Sequence, residues 1–142
     1  MREYGVNFKS DVALNRNGLD EEAELNPSLL QHYNDLLAEA KAERDRLDNQ
    51  LKQATAEVEI RIRKTEPKAL GLEKFTDAVV AALVGSDLEL KSIKKELLDA
   101  KEELYTYEGA VDALHDKSDM IKVLTSLWIG GYYAANGERA EK

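Results

Sequence analysis

Residues 30–58, LQHYNDLLAEAKAERDRLDNQLKQATAEV, form a long stretch that contains neither glycine nor proline. Apolar residues recur in it at alternating steps of three and four, the heptad spacing of a helix that packs along one seam. Arg44 is the only charged residue at a seam position. The segment therefore predicts a long helix with the seam Leu30, Tyr33, Leu37, Ala40, Arg44, Leu47, Leu51, Ala54 and Val58.

The residues on either side of this stretch suggest where the helix begins and ends. Asn26 suits a helix N-cap, and Pro27 suits the first helical position because its missing N–H would have no partner there. Pro67 ends the pattern, so we predict a helix over about residues 27–65, roughly 58 Å long at 1.5 Å per residue. Residues 1–25, acidic and with an Asn17-Gly18 turn, are expected to be a partly extended or disordered arm.

The same three-four spacing returns in the second half of the chain. Thr76 and Gly85 bound a short helical segment, and Ser86 or Asp87 can cap the longer helix that follows it. The predicted seam of that second long helix is Leu90, Ile93, Leu97, Ala100, Leu104, Tyr107, Val111, Leu114, Ser118, Ile121, Thr125, Trp128 and Tyr132.

Two long seamed helices joined by a short helix predict an all-α fold, an antiparallel helical hairpin that resembles a coiled coil. We expect this domain to span residues 26–135, with residues 136–142 as a flexible tail. Because two helices bury little core for their length, we also expect the subunits to form a homo-oligomer.

The apolar segment LTSLWIGGYYA, residues 124–134, is the predicted contact between subunits. A contiguous apolar patch of this size usually marks an interaction surface, and Trp and Tyr bury much area at low entropic cost. The alternative is that the segment folds back on the first or the short helix and closes a monomeric core. The residues expected to make the contact are Leu124, Leu127, Trp128, Tyr132 and Tyr133.

Composition limits the class of protein. The chain has 142 residues, 43% of them apolar, which suits one domain with a core. The absence of cysteine excludes disulfides and thiolate metal sites and favours a reducing, cytoplasmic location. The N-terminal sequence lacks the apolar region of a secretory signal, and no apolar run is long enough for a membrane span.

Catalytic motifs are missing. His32 and His115 are isolated, so neither belongs to a zinc-binding pattern. The chain has no Walker A lysine motif and no GxGxxG loop for a nucleotide. We therefore predict no catalytic residues, no metal, no cofactor and no enzymatic activity.

Positive charge is concentrated at one place in this acidic chain. Residues 60–75 contain five basic and two acidic side chains, a net +3 in a chain of formal net charge −8. Phosphate binding depends on such local density, so we predict nucleic-acid contacts at Arg61, Arg63, Lys64 and Lys68. The alternative is that cations at the end of a helix only complement its dipole, and the residues alone leave both interpretations open.

Over about residues 20–133 the chain resembles the UvsY-like family of phage recombination mediators. The resemblance covers the start of the first long helix, NPSLLQHYNDLLAEAKAE (26–43), its basic end, the short middle helix and the closing helix. It is most pronounced in KKELLDAKEELYTYEGAVDALHDKSDMIKVLTSLWIGGYYA, residues 94–134.

This resemblance implies a function. Such mediators are non-enzymatic oligomers that bind single-stranded DNA coated by single-strand-binding protein and help load a RecA-type recombinase, in DNA recombination and repair. The family's DNA-contacting Lys-x-Arg pair falls on Arg61 and Arg63, with arginine in place of lysine and Pro67 as a departure soon after. Its oligomerising C-terminal segment falls on residues 124–134. The alternative is a structural coiled-coil protein for phage assembly, or an adaptor, that does not bind nucleic acid.

Overall fold

The computed structural model describes residues 8–132, and in that part of the chain all regular structure is helical. Its α-helices are α1 (Phe8–Val12), α2 (Leu19–Lys64), α3 (Asp77–Gly85) and α4 (Leu88–Ile129). A single 3-10 turn, Pro67–Leu70, lies between α2 and α3. The predicted all-α class, with a short helix between two long ones, is confirmed.

Proline and glycine determine the backbone of the segment between α2 and α3. Glu66, which precedes Pro67, has an extended backbone with ψ 132°, because the proline ring disfavours the helical region for the residue before it. Gly71 ends the 3-10 turn with φ 74°, a left-handed conformation that costs glycine little. Because the chain becomes extended before Pro67, α2 ends at Lys64, one residue before the predicted end.

The two later helices start at the caps that their sequences predict. The Thr76 side chain accepts a hydrogen bond from the Val79 N–H at 3.2 Å, which caps α3. For α4 the cap is Asp87, whose Oδ1 accepts from the Leu90 N–H at 3.1 Å. Each cap satisfies a backbone donor that the first turn of a helix leaves without a partner.

The start of α2 differs from the prediction. The helix begins at Leu19, so Asn26 is not a cap and Pro27 lies inside the helix. The first turn contains Asp20, Glu21 and Glu22, whose negative charge is favourable at the positive end of a helix. Residues 8–12 are helical as well, so much of the expected arm has regular structure. The boundaries proposed for the domain and the tail stay predictions.

The helices form two compact units, and each long helix contributes to both. In the connector unit, residues 38–105, Leu47 of α2 forms a buried cluster with Leu97 and Ala100 of α4. Further along α2, Arg61 contacts Asp87, which comes earlier in the chain than Leu97. α2 and α4 therefore run antiparallel in this unit.

The terminal unit consists, in its described part, of residues 8–37 and 106–132. Tyr33 of α2 is buried with Ala110, Val111 and Leu114 of α4. α1 covers this cluster, because Phe8 packs edge-on against the Tyr33 ring with 6.3 Å between centroids. The pairing is again antiparallel, since Glu22 contacts Lys117 and Tyr33 lies beside Ala110.

Burial agrees with both predicted seams until the last turns of α4. Every predicted seam residue of α2 is buried or partly buried. The guanidinium of Arg44, the charged seam residue, forms an ion pair with the Asp45 carboxylate at 2.9 Å. On α4 the same holds as far as Ile121, whereas Thr125, Trp128 and Tyr132 are exposed. Because Lys117 already faces Glu22, close to the first residue of α2, little of α2 is left to cover those later positions.

Candidate nucleic-acid interface and apolar surface

The four basic residues predicted to contact nucleic acid are all exposed. Arg61, Arg63 and Lys64 lie in the last turn of α2, and Lys68 lies in the 3-10 turn that follows. Cations at this end of a helix also complement its dipole. Their surroundings therefore decide which of them a phosphate can reach.

Arg61 connects two helices. Its Nη2 donates to Oδ2 of Asp87 at 3.0 Å, while Oδ1 of the same carboxylate caps α4. The Asp87 side chain is only 17% exposed, so this carboxylate is held in place from both sides. Arg61 is thereby positioned at the end of α2 with 65% of its side chain still in contact with water.

Arg63 is held by two carboxylates. Its Nη2 donates to Asp77 Oδ1 and its Nε to Glu59 Oε1, each at 3.2 Å. The hydrogen bond to Asp77, and then that to Glu59, raises the pKa of the Arg63 guanidinium. Because the Asp77 side chain is 100% exposed, water screens this pair strongly, and a phosphate oxygen can take the carboxylate's place at little cost.

Arg63 also lines a groove of about 460 Å³ in the connector unit, the α3 groove. Its lining consists of Glu59 and Arg63 of α2, five residues of α3 between Asp77 and Gly85, and Lys94 of α4. Within residues 8–132, the side chain of Lys94 makes no hydrogen bond or ion pair, and the same is true of the side chains of Lys64 and Lys68.

Sequence reasoning did not single out Lys94. It lies on the other long helix, about thirty residues after Arg63 in the chain, so no local charge count includes it. The antiparallel pairing of the start of α4 with the end of α2 is what brings the two cations to one groove. The Lys94-Lys95 pair near the start of α4 was the available signal.

Of the residues predicted to form the subunit contact, Leu124, Leu127 and Trp128 lie on α4, and Tyr132 follows shortly after its last residue. Leu124 and Leu127 are partly buried, whereas Trp128 is 56% and Tyr132 52% exposed. Tyr133 lies outside the described residues. We call Leu124, Leu127 and Trp128, together with Tyr132 just beyond the helix, the α4 apolar surface.

A groove of about 550 Å³ is lined both by Trp128 of this surface and by the start of α2. Leu19 and Ala23 line it on the α2 side, and Thr125 and Trp128 line it on α4. Trp128 therefore lies beside α2 without being covered by it. The alternative in which this segment closes a monomeric core accounts for the partial burial of Leu124 and Leu127, but not for the exposure of Trp128.

The terminal unit also contains a polar cluster that the sequence did not predict. Lys117 has a side chain only 6% exposed, pairs with Glu22 and donates to the Asp11 carbonyl at 2.9 Å. The Tyr33 hydroxyl donates to Oδ2 of Asp11 at 2.8 Å. Burial, followed by this hydrogen bond, raises the pKa of the Tyr33 phenol above its ordinary value. The cluster fastens α1 to the two long helices.

Residues 8–132 give no support to a metal centre or to a membrane span. In the part of the chain that the structure describes, no group of three or more histidine and carboxylate side chains is arranged to hold a metal ion. Within residues 8–132, no helix combines the length and the apolar character that crossing a membrane requires.

No protein-family model and no curated protein matches the chain. Two crystal structures of the recombination mediator protein UvsY of bacteriophage T4 do match its fold. The lattice type IV structure has a TM-score of 0.70 at 21% sequence identity, over 86% of this chain and 91% of that one. The lattice type I structure has a TM-score of 0.69 at 19% sequence identity, over 86% of this chain and 93% of that one. The chain therefore has the fold of T4 UvsY, which confirms at the level of structure the resemblance seen in its sequence.

Proposed function

We propose that this protein is a recombination mediator that binds single-stranded DNA and helps load a RecA-type recombinase in place of single-strand-binding protein. The observation that supports it best is the exposed Arg61 and Arg63 pair on the last turn of α2, in a chain with the fold of a recombination mediator. In this proposal the protein is a phage protein that acts in the bacterial cytoplasm without catalysing a reaction.

The chemistry of the proposed contact is phosphate recognition. Guanidinium groups bind phosphate oxygens through paired N–H donors, and each neutralised phosphate releases condensed counterions. Within one subunit the contact is weak, because Asp77, Asp87 and Glu59 already occupy part of the donors. The rest of the chain carries −11 against the +3 of residues 60–75, so repulsion also opposes binding.

Oligomerisation compensates for this weakness in the proposal. When several subunits bind one strand together, every contact after the first is intramolecular, and modest affinities combine into a strong one. The α4 apolar surface is the proposed contact between subunits. Weak individual contacts also suit a mediator, since the strand has to pass on to the recombinase.

The direct test is the double variant Arg61→Ala with Arg63→Ala, titrated against a fluorescein-labelled oligothymidylate by fluorescence anisotropy. We expect weaker binding and a flatter dependence on salt, by about 0.7 in slope for each phosphate that the variant no longer neutralises. The matched control is Arg46→Ala with Lys52→Ala, which removes two α2 cations that are also paired with carboxylates. Equal binding by the parent and the Arg61/Arg63 variant at matched salt would overturn the proposal.

A structural coiled-coil protein without nucleic-acid binding is the second candidate, and one observation favours it. Arg61 and Arg63 each bond to the start of another helix, at the cap Asp87 and at Asp77, and such bonds can stabilise a fold. If tethering is their role, the double variant should unfold at lower denaturant while the parent shows no affinity for DNA at low salt.

A further inference from the structure

Lys94 differs from the predicted DNA-contacting arginines in one respect that matters for binding an anion. It is exposed and makes no ion pair within the described residues, so a phosphate does not have to displace a carboxylate from it. It lines the α3 groove together with Arg63, although the two come from different long helices. Two cations that line one groove can bind a single phosphate together.

Part of the lining of the groove is apolar, and we call this part, Ala81 and Val84, its floor. Ala81 is exposed and Val84 is partly buried, and both line the groove along with the two cations. At about 460 Å³ the groove is within the size range of small-ligand sites, large enough for one nucleotide. A base can lie against such a floor only when it is unpaired, since in a duplex its faces are covered by stacking.

We propose that the α3 groove binds one nucleotide of single-stranded DNA, with the phosphate between Arg63 and Lys94 and the base against Ala81 and Val84. This inference rests on the proposed function and adds to it a residue of α4 and a reason for preferring single strands. Glu59 and Asp77 on the same groove oppose the phosphate, so the groove contributes a modest share of the affinity and Asp77 turns away from Arg63 on binding.

The phosphate contact is tested with Lys94→Gln, titrated against fluorescein-labelled oligothymidylate over a series of salt concentrations. We expect Kd to rise at least about three-fold and the salt slope to fall by about 0.7, the value of one single-strand phosphate contact. Lys95→Gln is the matched control, because it removes the same charge from the next residue of α4, which does not line the groove. We expect Lys95→Gln to change both Kd and the salt slope less than Lys94→Gln does.

The base contact is tested with Ala81→Gln, which places a longer side chain on the floor at an exposed helical position. This variant should bind oligothymidylate more weakly than the parent and bind an abasic oligonucleotide of equal length as well as the parent does. Equal affinities of variant and parent for oligothymidylate would overturn the base contact.

The outcomes separate the inference from the proposed function. If the parent does not bind oligothymidylate at low salt, both fail. If the parent binds, the Arg61/Arg63 variant binds weakly and Lys94→Gln matches Lys95→Gln, the phosphate site on α4 is wrong while the proposed function stands.

Discussion

At the scale of single residues, Asp77 and Asp87 hold the two arginines in different ways. Both oxygens of Asp87 are used, one by the cap of α4 and one by Arg61, and its side chain is largely covered. Asp77 bonds to Arg63 from a fully exposed position. Arg61 is therefore the positioned cation, whereas Arg63 is the one that can exchange its partner for a phosphate.

We expect Asp77→Asn to strengthen binding of single-stranded DNA, because it removes a negative charge that competes for Arg63. The measurement is Kd for labelled oligothymidylate at two salt concentrations, with the larger gain at the lower one. Asp48→Asn serves as the control, since it removes an exposed α2 carboxylate that pairs with Lys52. If the Asp77→Asn variant binds DNA no more tightly than this control, Asp77 does not compete with DNA for Arg63.

The buried Tyr33 phenol makes stability depend on pH on the alkaline side. Its raised pKa means that the folded protein keeps this proton at a pH where the unfolded chain has lost it. The free energy of unfolding should therefore fall as pH rises above about 10, by up to about 1.4 kcal/mol for each pH unit. Below the ordinary tyrosine pKa this contribution is fully present.

Urea unfolding at about pH 9 and about pH 11 measures this effect. Tyr33→Phe has no phenolic proton, so its stability should fall less between the two than that of the parent. Tyr105→Phe, at an exposed tyrosine of α4, should keep the parent's slope. An equal fall in the parent and Tyr33→Phe would show that Tyr33 titrates alike in both states.

The basic residues could be found from the sequence, but their partners could not. Arg61, Arg63 and Lys64 are close together in the chain, so a local charge count is enough to locate them. Asp87 and Asp77 are 26 and 14 residues away from their arginines, and which carboxylate meets which guanidinium depends on how α3 and α4 pack. The same holds for Lys94 and for the buried Lys117.

At the scale of elements, the seams were predictable and one helix start was not. Heptad spacing determines which face of a helix is buried, and burial followed it wherever a partner helix was present. Asn26-Pro27 is a good start signal, yet Gly18-Leu19 followed by an acidic turn is another. Asn26 became a packing residue instead, with its amide nitrogen 3.5 Å from the Leu114 carbonyl.

The position of Pro27 inside α2 leads to a prediction about stability. Proline cannot donate a hydrogen bond to the Ala23 carbonyl, so Pro27→Ala should restore a helical hydrogen bond and stabilise the protein by about 2 kcal/mol. Urea unfolding measures it, with Ser28→Ala as the control for helix propensity at the next, also exposed, position. If both variants gain equally, α2 begins at Pro27.

At the scale of the whole molecule, each of the two units has its own core and its own candidate surface. The connector unit contains the basic residues and the α3 groove, and the terminal unit contains the α4 apolar surface. The all-α fold followed from the sequence because both seams are long and regular. Oligomerisation could not be predicted from the sequence as directly, because an exposed apolar face needs a partner but does not by itself specify one.

The α4 apolar surface is the proposed contact between subunits, and Trp128→Ala tests it. Trp128 has the largest side chain there and is more than half exposed, so its removal should reduce the area buried between subunits and disturb little core. We expect smaller particles by multi-angle light scattering, unchanged helicity by circular dichroism and weaker DNA binding because fewer basic residues act together. Tyr105→Ala removes an aromatic residue of α4 that is similarly exposed but outside this surface, and it should assemble like the parent.

A lower melting temperature with unchanged particle mass would instead place Trp128 in a monomeric core. A parent that is monomeric at micromolar concentration would remove the argument for a multivalent DNA site altogether.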